Sequence, residues 1–179
     1  MSRWRLGAFI DQPILNSAFR YWCEQREGEG LPCRAAIDPL LIPRDVLPFV
    51  IWAEYLSPQG VMRYRLVGEE MVNRWGANFR GCTSSELFSG SYRQFMESAF
   101  ATCYEKRRPV FTESLFRWDV GGWQVTQRLM LPFAAEPDDP PQHCLVIQVW
   151  PDETWSLAGP FLQRTLKDRN FQHTRLEVV

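Results

Sequence analysis

"RYRLVGEEMVNRWGANFRG", residues 63–81, decides the fold class. Met62, Tyr64 and Leu66 alternate with Arg63 and Arg65, the period of a strand with one buried face. Gly68 ends that pattern. Glu69 to Trp75 follows as a short helix whose carboxylates sit at its positive end and whose Met71 and Trp75, four apart, share one face. Gly76 suits a helix exit, and Gly81 permits a tight turn. The chain thus passes from strand to helix within a few residues and folds the helix back over the sheet.

Working outward, Pro13 to Glu27 has helical spacing, with Ile14, Ala18, Tyr21, Trp22 and Cys23 on one broad side. Four prolines punctuate residues 31–48 and predict short turns. Phe49 to Leu56 reads as a strand, joined to Val61–Val67 through Ser57-Pro58-Gln59-Gly60. After the short helix, Thr83 or Ser84 caps a turn carrying Glu86, Leu87 and Phe88. Ser91 to Arg107 is a longer helix with Phe95, Ala99, Phe100 and Cys103 inward. Val110–Trp118 and Trp123–Phe133 form a hairpin about Gly121-Gly122, and Cys144–Trp150 is the last expected strand. The expectation is an α+β fold: five antiparallel strands, helices on one face, and an added amphipathic N-terminal helix that packs near Arg63 and Arg65. By residue, this divides into an arm and helix at 1–30, a domain at 31–151 and an extension at 152–179, helical over 159–170.

The 179 residues carry 45% hydrophobic and 14% aromatic residues and a net charge of −1. That composition builds a real core and supplies no field for nucleic acid or anionic membrane. No apolar run nears the length of a membrane span, and no secretory signal is read at the N-terminus. Five cysteines without a CxxC pair point to free thiols in the cytoplasm. Lys106-Arg107-Arg108, before Pro109, reads as a solvated helix C-terminus.

"LPCRAAIDPLLIPRDVLPFVIWAEY", residues 31–55, resembles the opening of a bacterial PAS-like family: a P-x-R-x-x-x-D-P run followed by L-P. "MRYRLVGEEMVNRWGANFRG" at 62–81 resembles that family's strand, glycine, helix, glycine sequence. "KRRPVF" and "RLMLPF" resemble its later strand starts. The resemblance covers residues 15–150. It implies a stand-alone sensory or regulatory domain that binds a small ligand or a protein partner and dimerises through its N-terminal helix.

The residues offer little to catalysis or cofactors. His143 and His173 lie away from the central helices, which argues against haem. Cys82 lacks the surroundings of a flavin-binding cysteine, so covalent flavin is not expected. No metal-ligand spacing and no nucleophile frame occur. What remains is an apolar concavity between helices and sheet. Expected lining residues are Leu66, Met71, Trp75, Phe79 and Leu87, continued by Phe88, Phe95, Leu115, Met130 and Ile147. For each residue singly, plain core packing is the competing reading. Candidate polar anchors are Arg65, Glu113, Arg128 and Gln148. Ile14, Ala18, Tyr21 and Trp22 are the expected homodimer surface. Two other functions stay open: a ligand-free homodimerisation or protein-interaction module, and a small cone-shaped isomerase or hydrolase using Glu113 or Asp119.

Overall fold

The computed structural model describes residues 11–117, 123–151 and 171–179. The chain opens with α1 (Pro13–Glu24), whose proline occupies the first turn, where no N–H is needed. Strands β1 (Val50–Tyr55) and β2 (Met62–Val67) form a hairpin. Helices α2 (Glu69–Trp75), α3 (Ser84–Leu87) and α4 (Gly90–Lys106) follow. Strands β3 (Val110–Arg117), β4 (Trp123–Phe133), β5 (His143–Val149) and β6 (Phe171–Val178) complete the sheet. The strand order is β2-β1-β5-β4-β3-β6, antiparallel throughout.

The expected α+β architecture is present, with one correction: the sheet has six strands, not five. β6 pairs along β3 from Val110↔Val178 to Phe116↔Phe171. It is an edge strand that mixes Arg175 and Glu177, ion-paired at 2.6 Å, with apolar neighbours. Such a half-solvated strand leaves a weak hydrophobic signal. The expected hairpin turn at 121–122, Asp119 and the expected helix over 159–170 lie outside the described residues.

The sheet separates two cores. On one face, here the front, α2, α3 and α4 cover Ile51, Tyr64, Met130 and Val146. On the back, α1 and the turns of residues 31–49 cover Phe111, Leu129, Leu131, Leu145 and Ile147. α1 therefore packs over β4 and β5, not over Arg63 and Arg65 of β2 as the sequence suggested. Trp22, fully buried, locks it there by donating from its indole N–H to the carbonyl of Pro132 at 2.8 Å. Arg65 is exposed and pairs instead with Glu54 at 2.6 Å.

The strand that opened the sequence reading departs from its expected alternation. Trp52 pairs with Leu66 but Ala53 pairs with Tyr64, so Arg65 is an extra residue, a β-bulge. Beyond the bulge the faces exchange: Leu66 joins the back core and Val67 the front. The glycines around α2 serve two different ends. Gly76 ends the helix at φ 72°, a left-handed conformation. Gly68 has an ordinary φ of −65°, but a Cβ there would stand 2.3 Å from the carbonyl oxygen of Pro48. Thr83 caps α3 in a reciprocal box with Glu86. Arg107 caps α4 and donates to the carbonyls of Pro137 and Asp138, which ties the basic cluster to the 136–142 loop.

Candidate ligand cavity

The front core is assembled from rings. α2 ends at Trp75, and the turn after Gly76 brings Phe79 beside it at 5.3 Å between ring centroids. Tyr64 of β2 meets Phe79 edge-on at 5.1 Å and 85°. Phe88, at the end of α3, meets Tyr92 of α4 edge-on at 4.8 Å and 84°. Edge-to-face contacts of this kind are favourable for rings but fill space less completely than interlocking branched chains. A cavity of about 10 Å³ remains between Ile51, Val146 and Gln148 of the sheet and the rings of Trp75, Phe79 and Phe88. Tyr64, Tyr92, Met96 and Phe100 complete its walls. That volume is about the space of one water molecule.

Four of the expected residues line the cavity: Trp75, Phe79, Phe88 and Gln148. Met71, Phe95 and Met130 are buried in the same front core without lining it, and Leu87 packs at its margin. Three expectations are corrected. Leu66 and Ile147 belong to the back core, Leu66 because of the bulge and Ile147 by strand alternation. Leu115 is half-buried and shares the strand parity of the back-facing Phe111. The walls that sequence reasoning missed include Tyr92, Met96 and Phe100, which recur every four residues along α4; that spacing was available. Nor is the stripe of α1 an open surface. Ala18, Tyr21 and Trp22 are buried in the chain's own back core, with Ile14 at its edge.

Of the four expected polar anchors, the structure joins two. Arg128 of β4 is fully buried on the front face. Its Nε donates to Oε1 of Gln148 at 2.8 Å and its Nη1 to Oγ of Ser114 at 2.6 Å. Its Nη2 reaches the hydroxyl of Tyr92 at 3.5 Å, at the limit of a hydrogen bond. The guanidinium also stands over the rings of Tyr92 and Phe116, at 5.8 and 5.6 Å. Among the described residues no carboxylate pairs with it; all its partners are neutral. Burial accordingly lowers its pKa from the ordinary arginine value, and Tyr92 pulls the other way. Burial raises the phenols of Tyr64 and Tyr92, against the counter-pull of Arg128. The other two anchors are elsewhere: Arg65 on the surface, and Glu113 accepting from Nε2 of Gln127 at 2.9 Å.

The walls do not fit the cofactors considered from the sequence. No histidine or cysteine lines the space, so its walls offer haem no imidazole or thiolate and a flavin no thiol to bond. His143 instead accepts on Nδ1 from the indole N–H of Trp52 at 3.2 Å. Cys82 packs at the margin of the front core. Among the described residues no group of three His, Cys, Asp or Glu side chains could hold a metal ion, and no helix is long and apolar enough to cross a membrane.

A sheet with α2, α3 and α4 on one face is the arrangement that the motif series implied. The family model described as "PAS domain" matches residues 10–147. The chain belongs to the PAS domain family. Membership makes it, in general terms, a sensory module, and the family is not generally catalytic. Among solved structures the chain is similar to the Rhodobacter sphaeroides LOV protein, at 11% identity and a TM-score of 0.45 over 81% of this chain and 70% of that one. No curated protein matches the sequence.

Proposed function

We propose that this PAS domain is a sensor whose front cavity takes a small apolar or amphipathic guest and converts its entry into a shift of α2, α3 and α4. The observation that carries this reading is the cavity itself, walled by aromatic rings from β2 and the helices, with Gln148 in its wall and Arg128 bonded behind it. A narrow, mainly apolar space that widens for a guest couples binding to helix position, because the guest's volume must displace rings. α1, held by Trp22 on the opposite face, supplies the fixed frame against which such a shift is read out by a partner. The five free cysteines suit a reducing, cytoplasmic setting.

The test is native mass spectrometry of the freshly purified chain, followed by a metabolite screen read through the difference in tryptophan emission between the native chain and Trp75→Phe. An added small mass, or a ligand that shifts the emission, is the expected result. A chain that carries no mass and answers no compound would end the ligand-sensing reading.

A second reading is a ligand-free interaction module that forms homodimers. With the stripe of α1 buried, it rests on Leu40 and Leu41, which are 90% and 55% exposed beside an open groove of about 280 Å³. Mass in solution for the native chain and for Leu40→Ser/Leu41→Ser decides it: a dimer that the double substitution makes monomeric supports the reading, and a native monomer removes it.

A further inference from the structure

We propose that the guest is a monocarboxylate with an apolar or aromatic body, and that buried Arg128 is the counter-ion for its carboxylate. The inference rests on the reading above that the cavity binds a ligand, and it names the class.

A guanidinium presents five N–H donors and a full positive charge. Taking that charge out of water costs several kcal/mol unless an anion or a complete set of acceptors replaces the water. Arg128 has partial replacement only. Gln148 and Ser114 provide two short neutral contacts, while Tyr92 provides one at 3.5 Å. Two of those partners, Gln148 and Tyr92, are themselves walls of the cavity. The cation therefore stands one side chain behind the empty space, and its loosest bond is on the side that the space borders.

A carboxylate entering there would exchange the long contact with the neutral Tyr92 hydroxyl for a shorter bond between opposite charges. A neutral head gains less, and an ammonium head meets a like charge across a medium that screens poorly. Among the other walls, Trp75, Phe79, Phe88 and Phe100 suit an apolar or aromatic body. Room for that body comes from the rings nearest the junction of α3 and α4. Phe88 follows the last turn of α3, and Gly90 begins α4 at φ 60°. Phe88 can swing there without breaking either helix, and Tyr92 moves with α4 once its hydroxyl is released.

The experiment holds the body constant and changes the charge of the head. Phenylacetate, 2-phenylacetamide and 2-phenylethylamine are titrated calorimetrically into the full chain and into Arg128→Met. In the native chain phenylacetate should bind about ten-fold more tightly than the amide, and the amine should not bind. Arg128→Met should bring the acid down to the affinity of the amide. Should that variant not fold, Gln148→Glu is nearly isosteric and supplies Arg128 with an internal carboxylate; it should erase the preference for phenylacetate. If the native chain binds acid and amide equally, the carboxylate assignment falls while the sensing cavity stands. If none of the three binds, the carboxylate assignment falls, and the sensing cavity falls with it when the chain also carries no bound mass and answers no compound of the metabolite screen.

Discussion

The two faces of the sheet bury similar numbers of large side chains in opposite ways. The back core is mainly branched aliphatic: Leu129, Leu131, Leu145 and Ile147 from the sheet meet Leu15 and Phe19 of α1. Such side chains interdigitate, and Trp22 adds one fully buried hydrogen bond across them. The front core is richer in rings and methionines. Its rings meet mostly edge-on and leave a cavity, and beneath it lies a charge whose partners among the described residues are all neutral. One face is built to stay shut, the other to be rearranged at low cost. The strands are shared, so the rigid face holds the frame while the adaptable face responds.

The harshest challenge to this contrast is Trp22→Ala. It removes the anchor of α1 and leaves the carbonyl of Pro132 without its partner, so a loss of about 3–5 kcal/mol is expected from urea unfolding. A loss below about 1 kcal/mol would show that α1 is a loose appendage and not a clamp. A matched pair sharpens the contrast further. Leu131→Ala on the back should cost near 4 kcal/mol, and Met96→Ala on the front near 2 kcal/mol, both within the usual range for such truncations. The difference arises because walls that already border a space relax into a new one more readily. Equal costs would mean that the two faces are packed alike.

Much of this division was legible in the sequence, and the exceptions have physical reasons. α2 was read at its observed bounds, because two carboxylates, an i,i+4 apolar pair and a glycine at each end all agree there. The cap of α3 was legible as Thr83 or Ser84, and the structure selects Thr83. Leu66 was misassigned because a bulge is a backbone event, and Arg65 carries no mark that distinguishes an inserted residue from an alternating one. Ile147 was misassigned because all seven residues of "HCLVIQV" are buried, which erases the alternation that would tell front from back. Arg128 was named as an anchor, yet its complete burial follows only from Ser114 and Gln148 on the neighbouring strands. β6 left no clear pattern because Arg175 and Glu177 are interspersed with its apolar residues.

Substitutions at the buried cation separate a charge that stabilises from one that is merely tolerated. Gln148→Leu leaves an N–H of Arg128 buried without its acceptor and should cost about 1–3 kcal/mol. Arg128→Met removes the charge together with its desolvation and should lie within about 1 kcal/mol of the native chain, or above it. Thermal and urea unfolding of the two variants give the comparison. If Arg128→Met proves the more damaging, the guanidinium is a structural keystone and the front face is less adaptable than its rings suggest.

The smallest expected effect lies at the margin of the back core, where Trp52 reaches His143. The imidazole is neutral there, since its Nδ1 accepts the indole hydrogen bond and must carry no proton. Burial first, and then the charge of Arg34, lower its pKa below the ordinary 6.5. The sign follows: with the folded value depressed, the unfolded chain takes up the proton first as pH falls. The contribution is therefore fully present above about 6.5 and is lost as pH drops through the lower folded value. Urea midpoints at successive pH values between 7.5 and 5 should fall by an amount equivalent to about 1 kcal/mol, the worth of one such bond. His143→Phe removes the titrating group and should flatten that stretch of the profile. A native chain whose midpoint holds steady to pH 5 would show that this corner of the rigid face accommodates a charge, and the contrast between the faces would then rest on their cores alone.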